Sequence, residues 1–376
     1  MPLARLKEDA AVVLFVLFLG FLVFLAWLNP VYSWDLLPYT ALATSESSDA
    51  VSLHRSAYRT VAREVPREVD ERLMLGPPDA AYRRDLAFNP WHFAEQLPFY
   101  SVKPLYVLAL STFHSAGMNP VKAARLLSVV SFALLGVVLF LWLRQAAGTL
   151  LASLAACCVL ATPEFLRTGA LVYPDALFSA LGLLALYLLF ARGRLFPGIC
   201  LLAVLPFIRP DGLVLVALVV GYLAWKNPGF SLRDALVILL AELLANRMTG
   251  WLAGGYGYET LFYHSFVHRL TAPAEASVQI HLADYWNAWK YFFLGTIGTP
   301  RPLFFLLGVA SLVVRRASGI FEHLCWLGLA YALVHVALFP EPESRYLVVP
   351  FALFVLWAIH ALTQPKGLLS RPWIRG

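Results

Sequence analysis

Apolar blocks recur along this chain with short polar breaks between them, and that pattern predicts the architecture. The first, AVVLFVLFLGFLVFLAWL, closes at Leu28 without a single charge. Blocks of this kind read as membrane helices, because a helix rises 1.5 Å per residue and must cross ~30 Å of hydrocarbon. Arg5 and Lys7 precede the first block. It is longer than the ~7–15 residues of a signal h-region and is followed by Trp27, Asn29 and Pro30 rather than a small-residue cleavage site, so an uncleaved first helix over about 10–28 is expected.

With the amino terminus taken as cytoplasmic, that helix delivers the chain outside at Asn29. Residues 29–103 are the long polar stretch. Within it Ser47 and Ser48 are expected to cap a surface helix. Its apolar positions Val51, Tyr58, Val61 and Val65 recur at helical spacing, with Arg55, Arg59 and Arg63 between them. Pro66, Pro77 and Pro78 break that pattern, and YRRDLAFNPWHFAEQLPFYSVKP reads as an aromatic-rich loop. PLYVLALSTFHSAG, residues 104–117, is too short for a comfortable span and is predicted to dip into the membrane.

The remaining blocks follow. Residues 121–143 run inward to Arg144, 149–166 come out, and 175–191 return to Arg192 and Arg194. Residues 195–208 and 211–225 form either a hairpin with Arg209, Pro210 and Asp211 at its outer tip or one tilted helix. The hairpin keeps Lys226 and Arg233 cytoplasmic and is preferred. Residues 235–254 exit, and 255–290 make a second outer loop rich in Tyr, His and Trp. A span near 290–314, interrupted by Gly295, Gly298, Pro300 and Pro302, ends at Arg315 and Arg316; its outer half is a candidate surface helix. Residues 320–339 exit, and 346–363 re-enter, leaving Lys366, Arg371 and Arg375 inside. The expectation is an all-α, polytopic bundle of about ten spans forming one membrane domain over the whole chain, 1–376.

Composition agrees. Sixty per cent of residues are hydrophobic and 14% charged, far from a soluble domain's ~45–50% and ~25%. The net charge of +6 is therefore no nucleic-acid signature, since cytoplasmic loops of membrane proteins gather Lys and Arg. Cys157, Cys158, Cys200 and Cys325 all fall in apolar blocks, where a thiol behaves as a small hydrophobe, and no disulfide framework or cysteine-bound metal is expected.

Under this topology the ionisable residues at span ends collect on the outer face: Asp35, Lys103, Arg125, Asp175, Arg209, Asp211 and Arg345, with Tyr346 beside the last. Charges so close to hydrocarbon are costly without a partner or a task. A sugar carried on a polyprenyl phosphate would use them. Its phosphate needs cations at headgroup level, and an acceptor hydroxyl attacking the anomeric carbon needs a carboxylate to take its proton.

The order of features resembles the GT-C superfamily of membrane glycosyltransferases, especially the branch of protein O-mannosyltransferases and lipid A aminoarabinose transferases. That family carries an Asp just after its first helix with a Tyr four residues on, matched by Asp35 and Tyr39. Val102-Lys103-Pro104-Leu105 matches its Lys-Pro motif before a short apolar helix, and Ala124-Arg125-Leu126 its Ala-Arg-Leu at the next span. Asp175, in TPEFLRTGALVYPDALFSALGLLALY, matches its second Asp, and Arg345-Tyr346 its late outer Arg-Tyr. The likeness covers roughly residues 10–225 and the region of 345. It implies a GT-C-like fold and a polyprenyl-phosphate sugar donor, with the active site on the extracytoplasmic face of a bacterial inner membrane. It makes Asp35 the general base, Asp175 an acceptor-side or supporting carboxylate, and Lys103, Arg125, Arg345 and Tyr346 the donor phosphate site, with Tyr39, Arg209 and Asp211 secondary. Leu36 stands where many relatives have Glu, so no metal site of paired acids is assigned. The acceptor stays open among glycolipid, polysaccharide and protein, and membrane lipids are the other expected partners.

Blander roles compete at each position. Asp35 and Asp175 are in place to cap helices, Lys103 to snorkel, Arg125 to anchor a helix end, Arg209-Pro210-Asp211 to make a tight turn, and Arg345 to pair with Glu341 or Glu343. Trp34 is expected to seat the first helix in the membrane interface. His264 and His268, four apart in YHSFVHRL, read as loop lining without the acid of HExxH. Glu242 lies inside a span and must be buried, paired or protonated. A transporter or flippase for a lipid-linked substrate is the functional alternative, but the chain has no internal repeat of the kind such proteins show.

Overall fold

The structure, a computed structural model, describes residues 2–45, 49–76, 81–314 and 319–363. Over these residues the chain is all-helical and contains no strand. Ser47, Ser48, Pro77, Pro78, Arg315, Arg316, Lys366, Arg371 and Arg375 lie outside the described residues.

Among the described residues four helices are long and apolar enough to cross a membrane: Arg5–Leu28, Pro120–Ala147, Leu232–Leu252 and Ile320–Leu338. Two bent pairs bring the number to six. Thr149–Leu160 turns by 67° into Pro163–Ala170, and Leu282–Thr296 by 103° into Arg301–Val313. Asp175–Ala191, Leu195–Phe207, Gly212–Lys226 and Val348–Thr363 are shorter apolar helices. This arrangement is compatible with a multi-pass membrane protein.

Helix ends follow the local chemistry. The side chain of Asn119 accepts from the backbone N–H of Val121 at 2.9 Å, with Pro120 in the first turn. Gly148, at φ 77°, ends that helix, in a conformation that only glycine adopts readily. Ser231 and Asp234 close a capping box at the start of Leu232–Leu252. The surface helix is Ala50–Ala62, capped by Asp49, whose carboxylate accepts from the N–H of Ser52. It buries Ala57, Tyr58 and Val61 and leaves Arg55, Arg59 and Arg63 exposed. The segment read as an aromatic loop is instead three short helices, Ala81–Phe88, Pro90–Ala94 and Pro98–Ser101. Asn89 caps the second of them by accepting from Trp91 and His92. Pro90 and Pro98 each sit in a first helical turn, where proline is favoured.

Pro120–Ala147 is the central helix of the bundle, flanked by Pro2–Leu28, Thr149–Leu160, Asp175–Leu186 and Val348–Thr363. Phe15 stacks on Phe140 with ring centroids 4.3 Å apart. Gly169 lets a backbone close on Phe132, whose ring carbon would lie 2.6 Å from any added Cβ. A second hydrophobic cluster caps the bundle, built from residues 34–124 and from Leu171, Val172 and Tyr173. Trp34 belongs to that cluster and is buried on Phe93, Tyr82 and Tyr100. Helices from the rest of the first loop fold over it, so its ring is covered by protein. Between lipid-exposed helices, burying apolar surface gains little over lipid, so close packing and polar ties carry much of the specificity. Most of those ties lie where the bundle meets its cap.

Candidate functional site

Two distant segments are joined first. The N–H of Val31 donates to the carbonyl of Ala170 at 2.8 Å, and that of Val172 to the carbonyl of Val31 at 3.4 Å, an isolated parallel bridge. This ties the chain leaving the first helix to the segment that leads into Asp175.

Asp35 stands at the cap position of Leu36–Ala43, but its side chain makes no capping bond. Its Oδ1 accepts instead from the hydroxyl of Tyr100 at 2.9 Å. Lys103, at the start of Pro104–Ser115, does not snorkel: its Nζ donates to the hydroxyl of Tyr39 at 2.6 Å. The ammonium lies 5.2 Å from the Tyr39 ring centroid and 5.3 Å from that of Tyr100, within cation–π range. Lys103 has no carboxylate ion-pair partner among the described residues. Burial lowers its pKa to about 8, against the pull of Asp35 and Asp175 and with the push of Arg345 and Arg209.

Below this pair the charges neutralise one another. Arg209 is buried and donates to Asp175 at 2.7 Å and, through two nitrogens, to Asp211 at 3.0 and 2.5 Å. Its guanidinium is sandwiched 4.5 Å from the ring of Phe178 and 4.6 Å from that of Tyr346. Tyr331 donates to Asp211 at 3.1 Å, and Nδ1 of His335 lies 3.3 Å from the same carboxylate oxygen. Nε2 of His335 is buried without a partner among the described residues. Arg345 divides itself between Glu343 at 2.7 Å and Asp175 at 3.6 Å, donates to the Tyr346 hydroxyl at 2.8 Å, and lies 4.3 Å over the Tyr173 ring. Its pairing with Glu343, the competitor weighed from sequence, is real, and Asp175 shares it.

The structure therefore gathers Asp35, Tyr39, Lys103, Asp175, Arg209, Asp211, Arg345 and Tyr346 into one connected region. Arg125 stands apart, donating to the carbonyl of Trp27 and lying 4.4 Å over the Trp27 ring. Its contacts are those of a helix-end anchor, and they give it no link to Lys103. Four further residues join the region. Tyr100 was hidden in a run of aromatics three residues before Lys103. His335 and Tyr331 sit inside an apolar span, where an ionisable His is itself a signal. Glu341 is half-buried, and burial, reinforced by Glu343, raises its pKa to about 7.

Residues 253–271 close over the first long polar stretch. Gln96, buried, donates to the carbonyls of Leu270 at 3.2 Å and Thr271 at 2.9 Å and accepts from Tyr82. Tyr256 donates to the carbonyl of Glu95, and Ser101 to that of Ala253. His264 accepts at Nδ1 from the N–H of Leu270, and burial lowers its pKa to about 3. The helical turn ends at Val267, and His268 is extended and exposed, so the two histidines do not share a face. Glu242 is buried in its helix, with Oε2 unpartnered among the described residues. No protein-family model, curated protein or solved structure matches the chain.

Proposed function

We propose that this protein is an integral membrane glycosyltransferase, of GT-C-like fold and about ten spans, that moves a sugar from a polyprenyl-phosphate donor to an acceptor hydroxyl on the extracytoplasmic face of a bacterial inner membrane. The observation that carries the reading is the pair formed by Asp35 and Lys103. One is a carboxylate that caps nothing, the other a half-buried cation without a carboxylate, and both are held by tyrosines at the mouth of an apolar bundle.

In the reaction, Asp35 accepts the proton of the attacking hydroxyl while oxygen bonds to the anomeric carbon. The bond from that carbon to the phosphate oxygen breaks, and its electron pair leaves with the phosphate. Lys103 stabilises the departing charge, and Arg345 assists from beside it. Asp175, Arg209 and Asp211 hold Arg345 in place and contribute no proton transfer. Tyr39 and Tyr100 orient the two working groups.

The test uses the purified protein and Asp35→Asn with a panel of polyprenyl-phosphate sugars. Sugar release is expected from the wild type and a loss of about a hundredfold or more in the variant, the range for a removed general base. An undiminished rate in the variant rejects the mechanism. A cysteine at position 210 should react with an impermeant thiol reagent from outside, as the hairpin topology requires.

A further inference from the structure

The segment 339–347 carries Glu341, Glu343, Arg345 and Tyr346, yet only residues 344–346 form a helical turn. Something must hold the rest at a fixed height beside Asp175. The sharper of the two bent apolar pairs, the 103° corner between Leu282–Thr296 and Arg301–Val313, lies against it.

Two independent contacts join corner and segment. Arg301, first residue after the corner, donates through one guanidinium nitrogen to the carbonyls of Pro342 and Gly295. Gly295 meets Pro342 from the other side: a Cβ there would lie 2.8 Å from Cβ of Pro342 and 3.0 Å from its Cγ. Behind Arg301 stands Glu164, 3.9 Å from Nε, a carboxylate with 3% of its side chain exposed. It supplies the opposite charge for a guanidinium that is itself 13% exposed. Farther along, Tyr258 donates to the carbonyl of Leu338, and Phe266 packs on Phe339 at 4.7 Å. The segment is therefore gripped at its start by Tyr258 and Phe266 and at its middle by the corner. Arg345 lies three residues beyond the grip.

We propose that Arg301 is a positioning residue: with Gly295 it seats Pro342 and thereby sets where the Arg345 guanidinium meets an anionic phosphate ester. The phosphate part rests on the glycosyltransferase reading; the seating of the segment does not. A guanidinium suits the task because one nitrogen, Nη1, reaches both carbonyls while Nε of the same rigid plane faces Glu164, a two-sided reach that a lysine ammonium does not reproduce. Glycine suits position 295 because the proline ring occupies the space of a side chain.

The experiment compares Arg301→Ala, Arg301→Lys and Gly295→Ala in the full-length protein. Gly295→Ala removes no charge and tests the seat alone. Backbone amide exchange over 339–347 is expected to rise in Arg301→Ala and Gly295→Ala, with exchange in 320–335 unchanged and partial recovery in Arg301→Lys. With a polyprenyl-phosphate sugar, the donor KM should rise about tenfold in both variants, the equivalent of one misplaced charge-assisted hydrogen bond, while kcat at saturating donor changes less. Adding Arg301→Ala to Arg345→Ala should then cost nothing further. Unchanged exchange over 339–347 in Arg301→Ala overturns the seating, whatever the activity. Raised exchange with an unchanged donor KM, or additive losses in the double variant, overturns the positioning of Arg345. Raised exchange in the variants, together with a wild type that turns over no donor, would uphold the seat and reject the glycosyltransferase reading instead.

Discussion

Lys103 offers the sharpest prediction because its environment makes its charge depend on pH within an accessible range. With a pKa of about 8 in place of the ordinary 10.5, the side chain is about 90% charged at pH 7 and about 10% charged at pH 9. If its charge holds the donor phosphate, kcat/KM for the donor should be level near pH 7 and fall by about tenfold by pH 9. Lys103→Arg keeps its charge throughout, so the alkaline fall should vanish even though the rate drops, since a planar fork does not reproduce an ammonium seated on Tyr39. The assay is donor turnover at fixed ionic strength across pH 6.5–9.5. A level wild-type profile to pH 9.5, or an alkaline fall that survives in Lys103→Arg, refutes the role. Stability carries the opposite sign. Between about pH 8 and 10.5 the unfolded chain holds a proton that the native site has released, so stability rises with pH through that window and is lower below it. Charging Lys103 at pH 7 therefore costs stability, roughly 2 kcal/mol after allowance for the solvent that reaches it. Lys103→Met should raise the melting temperature at pH 7 while abolishing donor use.

Two other outcomes follow from buried polar contacts. Arg209→Met leaves the buried Asp175 with only the longer Arg345 contact and the half-buried Asp211 without a guanidinium, and a loss of about 3–5 kcal/mol is expected, read as a lowered thermal unfolding midpoint in detergent; an unchanged midpoint would mean that water compensates the pair. Gln96→Ala strips the carbonyls of Leu270 and Thr271 of their donor, at about 1–3 kcal/mol, and should speed amide exchange across 264–274 while sparing the central helix Pro120–Ala147.

Periodicity alone determined a good deal. The apolar blocks became helices because uninterrupted apolar sequence leaves the backbone no partner but itself in a membrane. The breaks fell where Gly and Pro put them, at Gly148, at Pro210 and between Gly295 and Pro300. Asp35, Lys103, Asp175 and Arg345 were legible as charges too close to hydrocarbon to be idle. What they touch was not legible. The partner of Asp35 lies 65 residues away and that of Asp175 34, and Asp211, though paired locally with Arg209, also accepts from Tyr331 120 residues on; the distant pairings leave no trace in local spacing. Only the tertiary structure parted Arg125 from Lys103, two cations that looked alike in sequence. It also buried Trp34, brought in His335, and set Arg301 beneath the segment that bears Arg345. Backbone hydrogen bonding is satisfied within a helix and so is written locally, whereas a buried charge is satisfied by whichever element the fold brings to it.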